Sequence, residues 1–242
     1  MTADAPVRSK PRKNAARKKS AFREWFEVIA GSLVLFLFFR TLVFQAFQIP
    51  SESMENTLLV GDYLFVNKFL YGAKIPFTAA RLPDLRPPER GDIAVFHYPG
   101  DSKTTYIKRV IGLPGDTLQI KDRIVHIDGE PIEEDYVKFL ERRRPDPGYR
   151  DPRIKPMGAG NMDHYGPVVV PEGHYFMMGD NRDRSSDSRY WGLLSRNYVK
   201  AKAFVIYFSL DDDANAVKLG NPFTWLTIPV KTRWLRLGKL ID

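Results

Sequence analysis

The longest apolar run in the chain is Val28 to Phe39, VIAGSLVLFLFF, and beyond the single cation Arg40 it continues as TLVFQAFQI to Ile49. About twenty residues at ~1.5 Å rise cover the ~30 Å hydrocarbon core of a bilayer, so the pattern predicts one membrane helix over 25–46. Arg40 lies well past the middle of that run, where a long side chain snorkels to the headgroups. One alternative is a cleavable leader with small residues at Ser51 and Ser53, although these lie far beyond the apolar block. A buried helix of a cytosolic protein is the other.

From residue 59 the texture changes to short β-branched and aromatic runs broken by Gly, Pro and Asp, the pattern of strands. The expected strands are Tyr63 to Phe69, Asp92 to Tyr98, Thr104 to Ile111, Thr117 to Lys121, Ile124 to Ile127, His174 to Met178 and Val199 to Phe208. Asp128-Gly129 reads as a tight hairpin turn after the fifth of these. The fold class expected is mostly β: an antiparallel sheet domain over 47–242 behind one N-terminal transmembrane helix. Residues 133–166, rich in charge, Pro and Gly, read as an insertion or small subdomain on the surface. The stretch Phe223 to Leu240 mixes Trp225, Leu226, Ile228, Trp234, Leu235 and Leu237 with Lys231, Arg233, Arg236 and Lys239. That composition suits a membrane interface, or a C-terminal segment docked on its own core.

The net charge of +8 changes meaning once it is located. Residues 1–24 hold eight basic and two acidic side chains, a net of +6, which leaves +2 for the rest. A basic tail ahead of an apolar helix belongs at the anionic cytoplasmic face of a membrane, and 45–60 contain no Lys or Arg. The expected topology is therefore single-pass, with a cytoplasmic N-terminus and an extracytoplasmic body. A near-neutral body disfavours nucleic acid as a partner. The absence of cysteine excludes disulfides, thiolate metal sites and cysteine nucleophiles.

Several chemistries lack their motifs. There is no HExxH and no phosphate-binding GxxxxGK[ST], and His97, His126, His164 and His174 are scattered without metal-ligand spacing, so neither a metal nor a cofactor is expected. Three segments are richer than plain structure requires. Ile49-Pro50-Ser51-Glu52-Ser53-Met54 offers two hydroxyls two positions apart behind a proline: a nucleophile with a neighbouring donor, or a polar cap where the span ends. In Tyr106-Ile107-Lys108-Arg109-Val110, both cations sit among apolar strand neighbours. Arginine cannot lose its proton in a protein, whereas a desolvated lysine becomes a neutral base, which singles out Lys108. An edge-strand lysine with its amine in water is the alternative. The third segment, Gly179 to Gly192 (GDNRDRSSDSRYWG), reads as a loop fixed by its own ion pairs and side-chain-to-backbone bonds.

These three segments, in this order, resemble the bacterial type I signal peptidases, and GDNRDxSxDSRYWG with IKRVxGLPGD carries the resemblance from about Phe47 to Trp191. The resemblance implies a serine endopeptidase of the bacterial cytoplasmic membrane that removes signal peptides from preproteins. In it Ser53 is the nucleophile and Lys108 the general base. Ser51 is the side-chain oxyanion donor, Ser185 orients the lysine amine, and Asp187 and Arg189 are a supporting ion pair. Shallow pockets for small residues before the cut fall to Phe47, Ile49, Met54, Leu58, Tyr106 and Ile107. The chain departs from many members by Glu52 in place of Gly and Asn56 in place of Pro. For the mechanism to run near neutral pH, burial has to lower the amine of Lys108 by roughly two to three units from about 10.4.

Rival readings remain at this point. Self-cleaving Ser-Lys repressors share the dyad but carry a DNA-binding domain instead of a span. A silent peptide receptor would use the groove without the chemistry.

Overall fold

The computed structural model describes residues 21–75, 78, 80–140, 146–211 and 229–241. The basic tail before Ala21 and, in the C-terminal stretch, Phe223, Trp225, Leu226 and Ile228 lie outside the described residues. The chain divides after Phe38 into two units.

The first unit holds helix α1, Ala21–Phe38, whose apolar side chains, Phe22, Trp25 and Val34 among them, are exposed. Arg23, Glu24 and Glu27 occupy its first two turns, and Arg23 pairs with Glu27. Its uncharged stretch from Val28 rises only ~16 Å against the ~30 Å of a bilayer core. Among the described residues no helix is long and apolar enough to cross a membrane. The expected span over 25–46 is also cut short at its far end. After a wider, π-type turn at Phe39–Val43 the chain becomes strand β1, Phe44–Gln48. The physical reason is a partner: Phe44 meets Phe65 and Phe204, and β1 pairs along its length with β2, Asp62–Asn67.

The second unit is built from antiparallel sheet, as the strand texture predicts. Its further strands are β3, Ile93–Tyr98; β4, Asp101–Gly112; β5, Thr117–Lys121; β6, Ile124–Ile127; β7, Glu130–Pro131; β8, Tyr165–Val169; β9, His174–Met178; β10, Leu194–Ser195; and β11, Val199–Ser209. One sheet runs β1-β2-β11-β3-β4-β9-β10 and the other β7-β6-β5-β8. The seven expected strands are all present, with ends shifted by at most a few residues. Asp128 and Gly129 both take positive φ, 52° and 93°, the conformation a two-residue hairpin turn demands.

Alternation along the strands sorts side chains to the faces of the larger sheet. Leu64, Val66, Ile93, Val95, Ala201 and Ala203 are buried on one face, packed with Ile49, Met54 and Leu58. Ala94, Phe96, Val110 and Met177 form a second cluster. A third lies under the smaller sheet and takes side chains from the segment 133–166. Ile154 and Tyr165, both inside that segment, are buried there beside Leu118 and Phe176. Tyr165 also opens β8, which joins the sheet as its edge strand and so accommodates Pro167.

One detail of pairing positions the site. β4 pairs with β3 from Asp101 to Arg109, but with β9 only over 109–112. Among the described residues the β9-side edge of Thr104 to Lys108 is therefore left unpaired by sheet.

Candidate active site

Ser53 sits in a single 3-10 turn, Glu52–Met54, held from below by fully buried Met54. Turn and strand come together because Ile49 and Met54 pack into the same core as Ile93 and Val95 of the strand next to β4. Lys108 on β4 is thereby brought to the serine. Its Nζ lies 2.6 Å from Ser53 Oγ and 3.1 Å from the carbonyl of Ile107. Ser51 Oγ stands 3.4 Å from Ser53 Oγ on the other side. Among the described residues no histidine hydrogen-bonds the serine. His126 and His174 bond backbone carbonyls two residues before them, and His164 faces Asp122.

Burial dominates the electrostatics of the amine. Lys108 is 4% exposed, and desolvation pushes its pKa down from 10.5 to about 8. Asp187 and Asp180 pull against that shift, while Arg189 adds to it. The ring of Tyr106, 5.5 Å from Nζ, is part of the surroundings that exclude water. At pH 7 roughly one amine in ten is then neutral, against about one in several thousand for an unperturbed lysine. When neutral, Lys108 has a lone pair within hydrogen-bond reach of the Ser53 hydroxyl, the arrangement of a nucleophile with its base.

Behind the pair lies the loop from Gly179 to Trp191. Gly179 touches the turn so closely that a Cβ there would overlap both Ser53 O and Ser185 Oγ. Asn181 N–H donates to Ser53 O at 3.2 Å, fixing the turn from the other end. Asp187 accepts from Gly179 N–H and caps helix α2, Ser188–Trp191. Arg189 Nε and Nη2 reach its two oxygens at 2.9 and 2.8 Å. Burial alone would raise Asp187; the Arg189 guanidinium and the Gly179 N–H hold it below the usual carboxylate range. The expected Asp187–Arg189 pair is thus present and fully buried.

Two expectations differ from what is found. The bond expected from Ser185 to Lys108 is not made: Ser185 Oγ is buried and acts instead on Asp187, whose carboxylate it helps to hold low, while the Lys108 amine is directed to Ser53 and to Ile107 O. Ile49, Met54 and Leu58 do not line an open pocket; they are core residues, with Phe47 and Ile107 packed against them. The groove itself, about 410 Å³, is lined by Pro50, Ser51, Ser53, Thr104, Thr105, Tyr106, Ile107, Lys108, Arg184 and Ser186. Tyr106 and Ile107 are thus found in its wall, and Thr104, Thr105, Arg184 and Ser186 are additions the sequence did not single out.

The sequence also passed over Arg109, whose role is geometric. Nε and Nη2 bind the two oxygens of Asp180 at 2.9 Å each, Nη1 bonds Gly91 O, and the guanidinium stacks 3.8 Å over Tyr136. Thr57, four residues past Ser53, bonds both Asp180 and Arg109. Strand β4 is therefore clamped to the serine turn through the residue next to Lys108. Among the described residues no group of His, Asp and Glu side chains is arranged to hold a metal ion.

Residues 22–208 match the family described as signal peptidase, peptidase S26. Signal peptidase I of Pseudomonas fluorescens is 39% identical over 209 residues, 77% of this chain and 71% of that protein. Signal peptidase I of Pseudomonas aeruginosa is 37% identical over 213 residues, 78% and 72% of the two chains. A solved signal peptidase I from Enterococcus faecalis is 31% identical, covers 49% of this chain and 98% of its own, and superposes with a TM-score of 0.39.

Proposed function

The chain belongs to the signal peptidase, peptidase S26, family, and from that premise we propose that it cuts signal peptides from preproteins with Ser53 as nucleophile and Lys108 as general base. The observation that carries the reading is the 2.6 Å contact between Ser53 Oγ and an amine whose pKa burial has brought down to about 8.

The geometry supports the following steps. Neutral Lys108 takes the Ser53 hydroxyl proton as Oγ bonds to the carbonyl carbon of the last signal-peptide residue. The oxyanion that forms accepts from Ser51 Oγ–H, 3.4 Å from the nucleophile, and from the Ser53 backbone N–H. Protonated Lys108 then gives its proton to the departing amine, and the C–N bond breaks to leave an acyl-enzyme. Water attacks the ester while Lys108, neutral again, removes its proton; the carboxylate product leaves and Ser53 is restored. The Asp187–Arg189 pair and the Asp180–Arg109 clamp position these groups without touching the reacting atoms.

Tyr106 and Ile107 in the groove wall, backed by Phe47, Ile49, Met54 and Leu58, suit a small residue before the cut, because a packed apolar wall excludes volume it cannot accommodate. A preprotein with a signal peptide ending Ala-x-Ala should be cut by the purified chain, and Leu at the last position should slow cleavage strongly. Equal cleavage of the two, or none of the first, would reject the reading.

The site of action in this reading is a bacterial cytoplasmic membrane, with the body outside. The exposed apolar side chains of α1 support it, the shortfall in length being met by snorkelling of Arg23 and Arg40 or local thinning of the bilayer. A cluster of Phe44, Phe65, Phe204 and Tyr207 on the outer face of β1, β2 and β11 supports it as well, since aromatic rings favour the lipid interface. Protease added outside spheroplasts should digest the body; full protection would contradict the topology.

A further inference from the structure

Arg184 stands where two hollows meet. One is the groove at Ser53 and Lys108; the other, about 740 Å³, has Glu52, Glu55, Asp211 and Arg233 on its walls. The two share Pro50, Ser51 and Arg184. Their characters differ: Tyr106 and Ile107 give the groove an apolar wall, whereas the second hollow is ringed by charge. A substrate chain that lays its small residues against the apolar wall and passes Ser53 finds the charged hollow as the continuation of its path.

Glu52, the residue immediately before the nucleophile, receives a hydrogen bond from Arg184 Nη1. The side chains are 61% exposed for Arg184 and 47% for Glu52, unlike the buried Arg189–Asp187 pair. Water competes for an exposed pair of this kind, so it contributes little to stability and exchanges partners at small cost.

Resting on the peptidase reading above, we propose that Arg184 and Glu52 form a charge-selective subsite for the residues that follow the scissile bond. Arg184 donates to a substrate carboxylate in place of that of Glu52. The ligand class is an acidic side chain near the start of the released chain, and Glu52 sets how strongly that acid is preferred.

Successive side chains of an extended substrate point to opposite faces, so the test places Glu, Gln or Lys at each of the first two positions after the cut, one at a time. The full chain is assayed in detergent at low salt on these peptides, with the Gln peptide as internal reference. At one of the two positions, kcat/KM for Glu should exceed that for Lys by about three- to fivefold, shrinking as salt is added. Glu52→Gln should widen the ratio and Arg184→Gln should erase it. The charge swap Glu52→Arg with Arg184→Glu keeps a pair between turn and loop but should invert the ratio to favour Lys. A preference unchanged by the swap would assign the pair a structural role and overturn the proposal. Equal cleavage of all peptides by the wild-type chain overturns the subsite while the cut Gln peptide leaves the peptidase reading standing; no cleavage of any peptide fails both.

Discussion

Lys108 and Arg109 are consecutive cations on one strand, and the pleat of β4 sends them into opposite surroundings. Arg109 is met by a bidentate carboxylate, a carbonyl, a hydroxyl and an aromatic face. Lys108, equally buried, is given a serine hydroxyl and one carbonyl, with Asp187 and Asp180 acting only from a distance. The difference separates structure from chemistry. A fully compensated charge fixes the backbone, whereas an under-compensated amine sheds its proton more readily, as the proposed role of Lys108 requires.

The largest effect should come from making the two sides alike. Lys108→Arg keeps a cation and much of the volume but cannot deprotonate, so it should lower kcat/KM on a preprotein by at least about a thousandfold, as fully as Ser53→Ala does. Near-normal cleavage by Lys108→Arg would remove the base assignment.

Breaking the compensated side should cost stability. Asp187→Ala leaves the Arg189 guanidinium buried without its carboxylate, and unfolding in denaturant should show a loss of about 3–5 kcal/mol. A loss below about 1 kcal/mol would mean the pair does not brace the loop.

Lys108→Met sharpens the contrast from the other direction. Folding lowers this amine from 10.5 to about 8, so between those values the unfolded chain binds more protons, and stability rises as pH climbs through the window. Below pH 8 the full cost of burial is present, on the order of 3 kcal/mol. Removing the amine should therefore stabilise the inactive variant by about 1–3 kcal/mol at pH 7, less whatever the Ser53 hydroxyl loses with its partner. A destabilised Lys108→Met would indicate that the amine is well compensated after all. The smallest effects belong to the histidines: Ala at His97, His126, His164 or His174 should leave cleavage within a few-fold of normal.

Much of this contrast was legible in the chain. The strands announced themselves through β-branched runs between turn residues, and the choice of Lys108 over Arg109 needed only the chemistry of the two side chains. What Arg109 does was not legible, because Asp180, Thr57 and Tyr136 come from distant segments and periodicity carries no information about them. Strand β1 was hidden because FQAFQ follows an apolar helix without a break, and a short apolar run reads equally as helix or strand. β8 was hidden by Gly166 and Pro167, turn residues that an edge strand tolerates. Met54 and Leu58 were expected in a pocket and found in the core, since apolarity alone does not say which side of a wall a residue occupies. The ion pair Glu52–Arg184 joins two positions far apart in sequence, and nothing local in either segment connects them.

The most direct test is the pH dependence of kcat/KM for a preprotein with a signal peptide ending Ala-x-Ala, which reports the ionisation of the free enzyme's base. Activity should rise with pH along an acid limb whose apparent pKa is about 8, the value burial gives Lys108. A limb at about 6.5, the reference range of histidine, or a rise that begins only near the ordinary lysine value of about 10.4, would contradict it.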